Sequence, residues 1–141
     1  MHPYHHALSS AQRWGGTAAD YQAIHDWFDE SKSYLADFRH RALRHHAEGI
    51  FLCEKIFGTT LTNSDGRVVP VRWVGEQHVK EDLGFIPTAQ DWLKNLMPQP
   101  WMRRTGKLAL EEVPSEAAEV EAPLPRGRRK RASTGRKEAT S

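Results

Sequence analysis

Eight histidines fall within the first 104 of the 141 residues, grouped as His2, His5 and His6; His25; His40, His45 and His46; and His78. Several stand beside acids at helical spacing. His25 and Asp29 are four residues apart and share a helix face, as do His78 and Asp82, with Glu81 three residues from His78. Neutral imidazole with carboxylate is a ligand set for divalent zinc, manganese, nickel or iron, and two such groups one helical turn apart can reach the same ion. The candidate metal ligands are therefore His25, Asp29, His40, His45, His78 and Asp82. If three clusters converge, an ion with an open coordination position generates hydroxide near neutral pH. Glu76 or Glu81 would then transfer the proton, and the substrate would be a phosphate ester, a nucleotide or a nucleic acid. His45 and His46 point about 100° apart on an ideal helix, so one of them at most faces a given site. The same histidines also fit a purely structural role, each hydrogen-bonded to a nearby carboxylate or carbonyl.

Other chemistry is weaker. Asp37 to His46 holds three Arg and three His that could bind phosphate, although a solvated face with Arg41 paired to Asp37 explains the same residues. The single cysteine, Cys53, excludes an intramolecular disulfide framework and a Cys-based zinc finger and suits a reducing cytoplasm; on an apolar helix it reads as a small core residue. The chain has no phosphate-binding glycine loop, no G-x-S-x-G, no H-E-x-x-H and no C-x-x-C. The five tryptophans read as core anchors.

Positioning these residues calls for helices. A first short helix is capped or interrupted at Ser9 and Ser10 and ends at Gly15-Gly16. Thr17 or Asp20 caps a second, Tyr21–Glu30, whose Tyr21, Ile24, Trp27 and Phe28 recur at helical spacing. A long helix runs from Leu35 or Asp37 to Phe57 and stops at Gly58, with Gly49 a local weak point. Residues 59–74 read as a β-hairpin around Asp65-Gly66, with Pro70 on an edge or at a bulge. Beyond Gly75 a short helix ends at Gly84, and Pro87-Thr88 opens another. The fold class is mainly α: a small helical domain, residues 1–104, with one hairpin.

Composition supports one domain and a tail. Hydrophobic residues are 38% and charged residues 27%, and no run approaches the roughly 18 apolar residues that cross a bilayer, so no membrane is expected. All Trp, Phe, Tyr and His precede residue 105. Residues 105–141 are acidic, then basic, and lack the large apolar groups that offset an ordering cost of roughly 1–2 kcal/mol per residue; they read as a disordered tail. The tail carries 8 Lys/Arg against 6 Asp/Glu, while the first 104 residues hold 12 of each, so the net +2 resides in the tail. Its Arg126, Arg128, Arg129, Lys130 and Arg131 could neutralise nucleic-acid phosphates.

The blocks YHHALSSAQRWGG (4–16), IHDWFDESK (24–32), RHRALRHHAEGIF (39–51), NSDGR (63–67) and GEQHVKEDLGFIP (75–87) resemble a family of small bacterial and phage proteins, a domain of unknown function, over residues 2–102. The resemblance implies a cytoplasmic phage or bacterial setting and supplies no activity. Beside the metal-dependent hydrolase stands the alternative of an accessory protein that binds a host or phage protein, or nucleic acid through its tail, without catalysis.

Overall fold

The computed structural model describes residues 1–103; the stretch from residue 104 onward, with Arg126, Arg128, Arg129, Lys130 and Arg131, lies outside the described residues. The described residues form one unit, Met1–Leu96, and the start of a second that begins at Met97. The first unit is helical with one two-stranded antiparallel hairpin, and the described part of the second holds a 3-10 turn at Pro100–Met102. Among the described residues no helix is long and apolar enough to cross a membrane.

Helix α1 (Pro3–Trp14) is continuous through Ser9 and Ser10. The side chain of His2 caps it by accepting from the Tyr4 N–H, and Pro3 occupies the first turn, where no amide hydrogen is needed. Ser10 does not interrupt it because its hydroxyl lies in reach of the His6 carbonyl one turn back. Helix α2 (Ala19–Asp29) continues into a 3-10 turn at Glu30–Ser33. Neither Thr17 nor Asp20 is its cap residue; that position is Ala18. Asp20 instead accepts from the backbone N–H of Thr17 and from the N–H and hydroxyl of Ser64, which ties the hairpin turn to the start of α2. The Ser64 hydroxyl, then the two N–H groups, lower its carboxyl to about 2.

The expected long helix is broken. Residues Phe38–Leu43 form a 3-10 helix, and α3 (Ala47–Phe57) starts only after an extended residue at His46. There the imidazole accepts from the Gly49 N–H and caps α3. Gly49 is not a weak point but a necessity: a Cβ there would sit 1.9 Å from the Arg44 carbonyl oxygen. Arg44 holds the turn from its other end. Its guanidinium donates to the Trp27 carbonyl and lies over the Trp27 ring at 4.4 Å. Asp37 pairs with Arg39 instead of Arg41.

The hairpin is shorter than its β-prone sequence. Strands β1 (Thr60–Thr62) and β2 (Val68–Pro70) pair Leu61 with Val69 across a turn in which Gly66 has φ 80°. Pro70 is tolerated because a two-stranded sheet has only edges. Val71 to Val74, expected as strand, are the first turn of α4 (Val71–Leu83), which begins directly after the extended Pro70 without a side-chain cap. Burying Val71 and Val74 on a helix places them against the core with Val79. Helix α5 (Ala89–Leu93) starts with a Thr88–Asp91 capping box. Tyr21, Ile24, Phe28, Ile50, Cys53 and Val69 complete the core, with Trp14 and Trp27. The other tryptophans are not anchors of that core: Trp92 is half-buried, Trp73 half-exposed and Trp101 79% exposed.

Candidate metal centre

Polar side chains fill the middle of the first unit. His6, His25, His40, His45 and His78 are all buried, an expensive placement unless each polar nitrogen finds a partner. Four donor atoms converge: Oδ1 of Asp29, Nε2 of His45, Nε2 of His78 and Oδ2 of Asp82. Asp29 is the last residue of α2, His45 sits in the turn before α3, and His78 and Asp82 lie one turn apart on α4.

The spacing is informative. His45 Nε2 lies 3.1 Å from His78 Nε2, 3.0 Å from Asp82 Oδ2 and 3.6 Å from Asp29 Oδ1. His78 Nε2 lies 3.4 Å from Asp82 Oδ2 and 3.6 Å from Asp29 Oδ1. Ligands about 2.0–2.2 Å from a tetrahedral ion stand roughly 3.3–3.6 Å from one another. The five distances scatter around that edge length, so the side chains can hold a divalent cation with little movement. The charges also match, because two carboxylates and two neutral imidazoles carry the −2 that such an ion neutralises.

The electrostatics report the same field. Burial resists ionisation of Asp82, yet the hydrogen bond with His45 at 3.0 Å and the close imidazoles of His6 and His78 hold its carboxyl far below the usual range. Burial likewise opposes charge on His78, but the carboxylates of Asp29 and Asp82, 3.6 and 3.4 Å from its Nε2, override this and raise its pKa. His45 is dominated by burial and falls to about 4 despite Asp82. Phe28 lines the apolar side, stacked on His78 at 4.8 Å and edge-on to His45 at 5.7 Å. Arg41 approaches Asp82 Oδ1 at 3.7 Å.

A further layer surrounds the four donors. His78 Nδ1 meets His25 Nδ1 at 2.9 Å, and His25 Nε2 meets the Ser10 hydroxyl at 2.8 Å. Ser10 lies 2.6 Å from Oε1 of Gln77, whose Nε2 donates to the His6 carbonyl and to Glu81. Burial, with His78 and His6 nearby, lowers His25 to about 2 and keeps it neutral. His6, His25 and His78 also bring three nitrogens together. His25 Nδ1 and His78 Nδ1, however, are hydrogen-bonded to one another at 2.9 Å, so one of these two nitrogens carries hydrogen and is closed to an ion.

Of the sequence candidates, Asp29, His45, His78 and Asp82 come together, and His25 stands behind His78. His40 is buried beside them but its Nδ1 pairs with Ser31 at 2.8 Å. Glu81 is engaged by His6 at 3.2 Å and by Gln77. Glu76 lines a surface hollow of about 280 Å³ with Arg13, Trp14, Trp73, Gln77 and Lys80. Ser10 and Gln77 are not singled out as site residues by the sequence, while His6 enters there only as a possible further ligand and Arg41 only within the Asp37–His46 phosphate candidate. For His6 and Ser10 the signal exists: with Ala7 and Trp14 they form the buried stripe of α1, visible once that helix is read as continuous.

Comparison with known proteins adds one relation. The family model described as Domain of unknown function (DUF6915) matches residues 1–102. No curated protein and no solved structure matches the chain.

Proposed function

The chain belongs to the DUF6915 family, and from the geometry of its buried cage we propose that it is a metalloprotein domain holding one divalent transition-metal ion between Asp29, His45, His78 and Asp82. The observation that carries this reading is five donor separations of 3.0–3.6 Å, four of them between elements distant in sequence, with the Asp29–Asp82 pair also within 4.8 Å. A mixed nitrogen and oxygen donor set at tetrahedral spacing favours zinc, with manganese and iron as competitors.

The ion's role is foremost structural. All four ligand side chains are at most 5% exposed, which is the closed arrangement of structural zinc rather than the open position of catalytic zinc. Hydrolysis of a phosphate ester would require a fifth, solvent-reached position. Glu81 is occupied by His6 and Gln77, and Glu76 faces the surface hollow, so neither is placed for proton transfer at the ion.

The test is elemental analysis of tag-free protein purified without added metal. One equivalent of zinc, manganese or iron is expected, falling below about a tenth in Asp82→Asn and His45→Ala. A folded wild-type protein that takes up no divalent ion from a buffered zinc solution rejects the proposal. Turnover of a generic phosphodiester by the loaded protein, lost in Glu81→Gln, would instead favour the hydrolytic role.

A further inference from the structure

Resting on the metal reading above, we infer that Ser10 is a positioning residue for the ion: it fixes which nitrogen of His25 carries hydrogen, and through His25 commits Nε2 of His78 to the metal.

The direction of every hydrogen bond in this chain is set by groups that have no choice. Nε2 of Gln77 lies against the His6 carbonyl at 3.1 Å and the Glu81 carboxylate, both acceptors, so Oε1 of Gln77 must face Ser10. Ser10 has one hydroxyl hydrogen and two partners for it, Gln77 Oε1 at 2.6 Å and the His6 carbonyl at 3.1 Å; both can only accept. Whichever takes the hydrogen, the remaining neighbour, His25 Nε2 at 2.8 Å, must donate to Ser10. A neutral His25 with hydrogen on Nε2 presents a lone pair at Nδ1. His78 Nδ1, 2.9 Å away, must then donate to it. That leaves the lone pair of neutral His78 on Nε2, the atom facing Asp29, His45 and Asp82.

The consequence is an asymmetry between the two imidazole ligands. His78 is oriented by a fully determined relay reaching α1, whereas His45 Nδ1 is buried with no hydrogen-bond partner. Partners of a ligand histidine typically change metal affinity 10–100-fold when removed. Gln77 differs from Ser10 in this respect. Without its amide the Ser10 hydrogen still has the His6 carbonyl, and the relay keeps its direction.

The experiment is a long-range proton–nitrogen NMR spectrum of the histidine rings, with zinc affinity measured by chelator competition. In chelator-treated wild-type protein His25 is expected as the Nε2–H tautomer, and an Nδ1–H ring there overturns the inference with no variant needed. In Ser10→Ala the His25 tautomer becomes mixed and zinc binds about 10–100-fold more weakly at unchanged stoichiometry. Gln77→Leu retains the wild-type tautomer. An unchanged tautomer and affinity in Ser10→Ala, or equal scrambling in Gln77→Leu, overturns the relay in favour of general loosening. If the wild type binds no zinc yet His25 shows the Ser10-dependent tautomer, the metal reading fails, and with it the step from His25 to the ion, while the step from Ser10 to His25 stands.

Discussion

Asp82 is the most heavily engaged side chain of the centre. Oδ2 faces His45 and His78, while Oδ1 lies 3.2 Å from His6 Nε2, off the hydrogen-bonding direction, and near Arg41. The imidazoles around it set the pH response of the metal-free domain. His45 titrates at about 4 and His25 at about 2, both below the ordinary 6.5, because burial penalises their charged forms. A histidine whose folded pKa is lowered binds its proton preferentially when unfolded, so its stabilisation is present above 6.5 and is lost as pH falls toward 4. His78, with its raised pKa, acts in the opposite sense, contributing below 6.5 and losing that contribution as pH rises. Two groups outweigh one. Urea titration of chelator-treated protein should show a loss of roughly 2 kcal/mol or more between pH 7 and pH 5. Equal or greater stability at pH 5 would contradict neutral burial of His25 and His45. At this scale the sequence was readable where ligands share a helix turn, as in His78 with Asp82. It was mute on which of His40, His45 and His46 faces inward, because that depends on a break between helices.

That break belongs to the level of elements. Apolar residues from Leu35 to Ile56 recur at helical spacing, yet Phe38 is 70% and Leu43 55% exposed, so periodicity alone misassigned the stretch. Competing local chemistry won: Asp37 caps one short turn through the Arg39 N–H, and His46 caps the next helix through the Gly49 N–H. The chain must pass the Arg44 carbonyl directly against Gly49 to do so. Gly49→Ala should therefore cost about 2–4 kcal/mol in denaturant unfolding, despite alanine's better helix propensity, since both packing and cap are disturbed. A change under about 0.5 kcal/mol would mean the turn is looser than described. The helical class and the Asp65-Gly66 turn were legible because they rest on local patterns. The start of α4 was not, because Val71, Trp73 and Val74 are β-prone residues whose helical state is decided by burying Val71 and Val74 in the core.

For the molecule as a whole, an ion bound by α2, the turn before α3, and α4 joins three parts of one core. Binding to the folded state alone adds about 4 kcal/mol at a free concentration a thousandfold above Kd. In a domain of this size that corresponds to a shift of about 15 °C or more. Thermal unfolding after exhaustive chelation should fall by that order and recover on adding zinc but not magnesium, whose hard octahedral preference the nitrogen donors do not suit. Insensitivity of Tm to chelation would leave the cage without a structural role.

Cys53 offers a way to watch this coupling from inside. The only thiol in the chain is wholly buried on α3 and burial pushes it up to about 12, so it resists alkylation while the fold is closed. A maleimide or disulfide reagent can reach it only when α3 separates from its neighbours, which makes its labelling rate a clock for transient opening. Occupying the cage should slow that clock by the factor that the ion's binding energy dictates, and Asp82→Asn should render it indifferent to zinc.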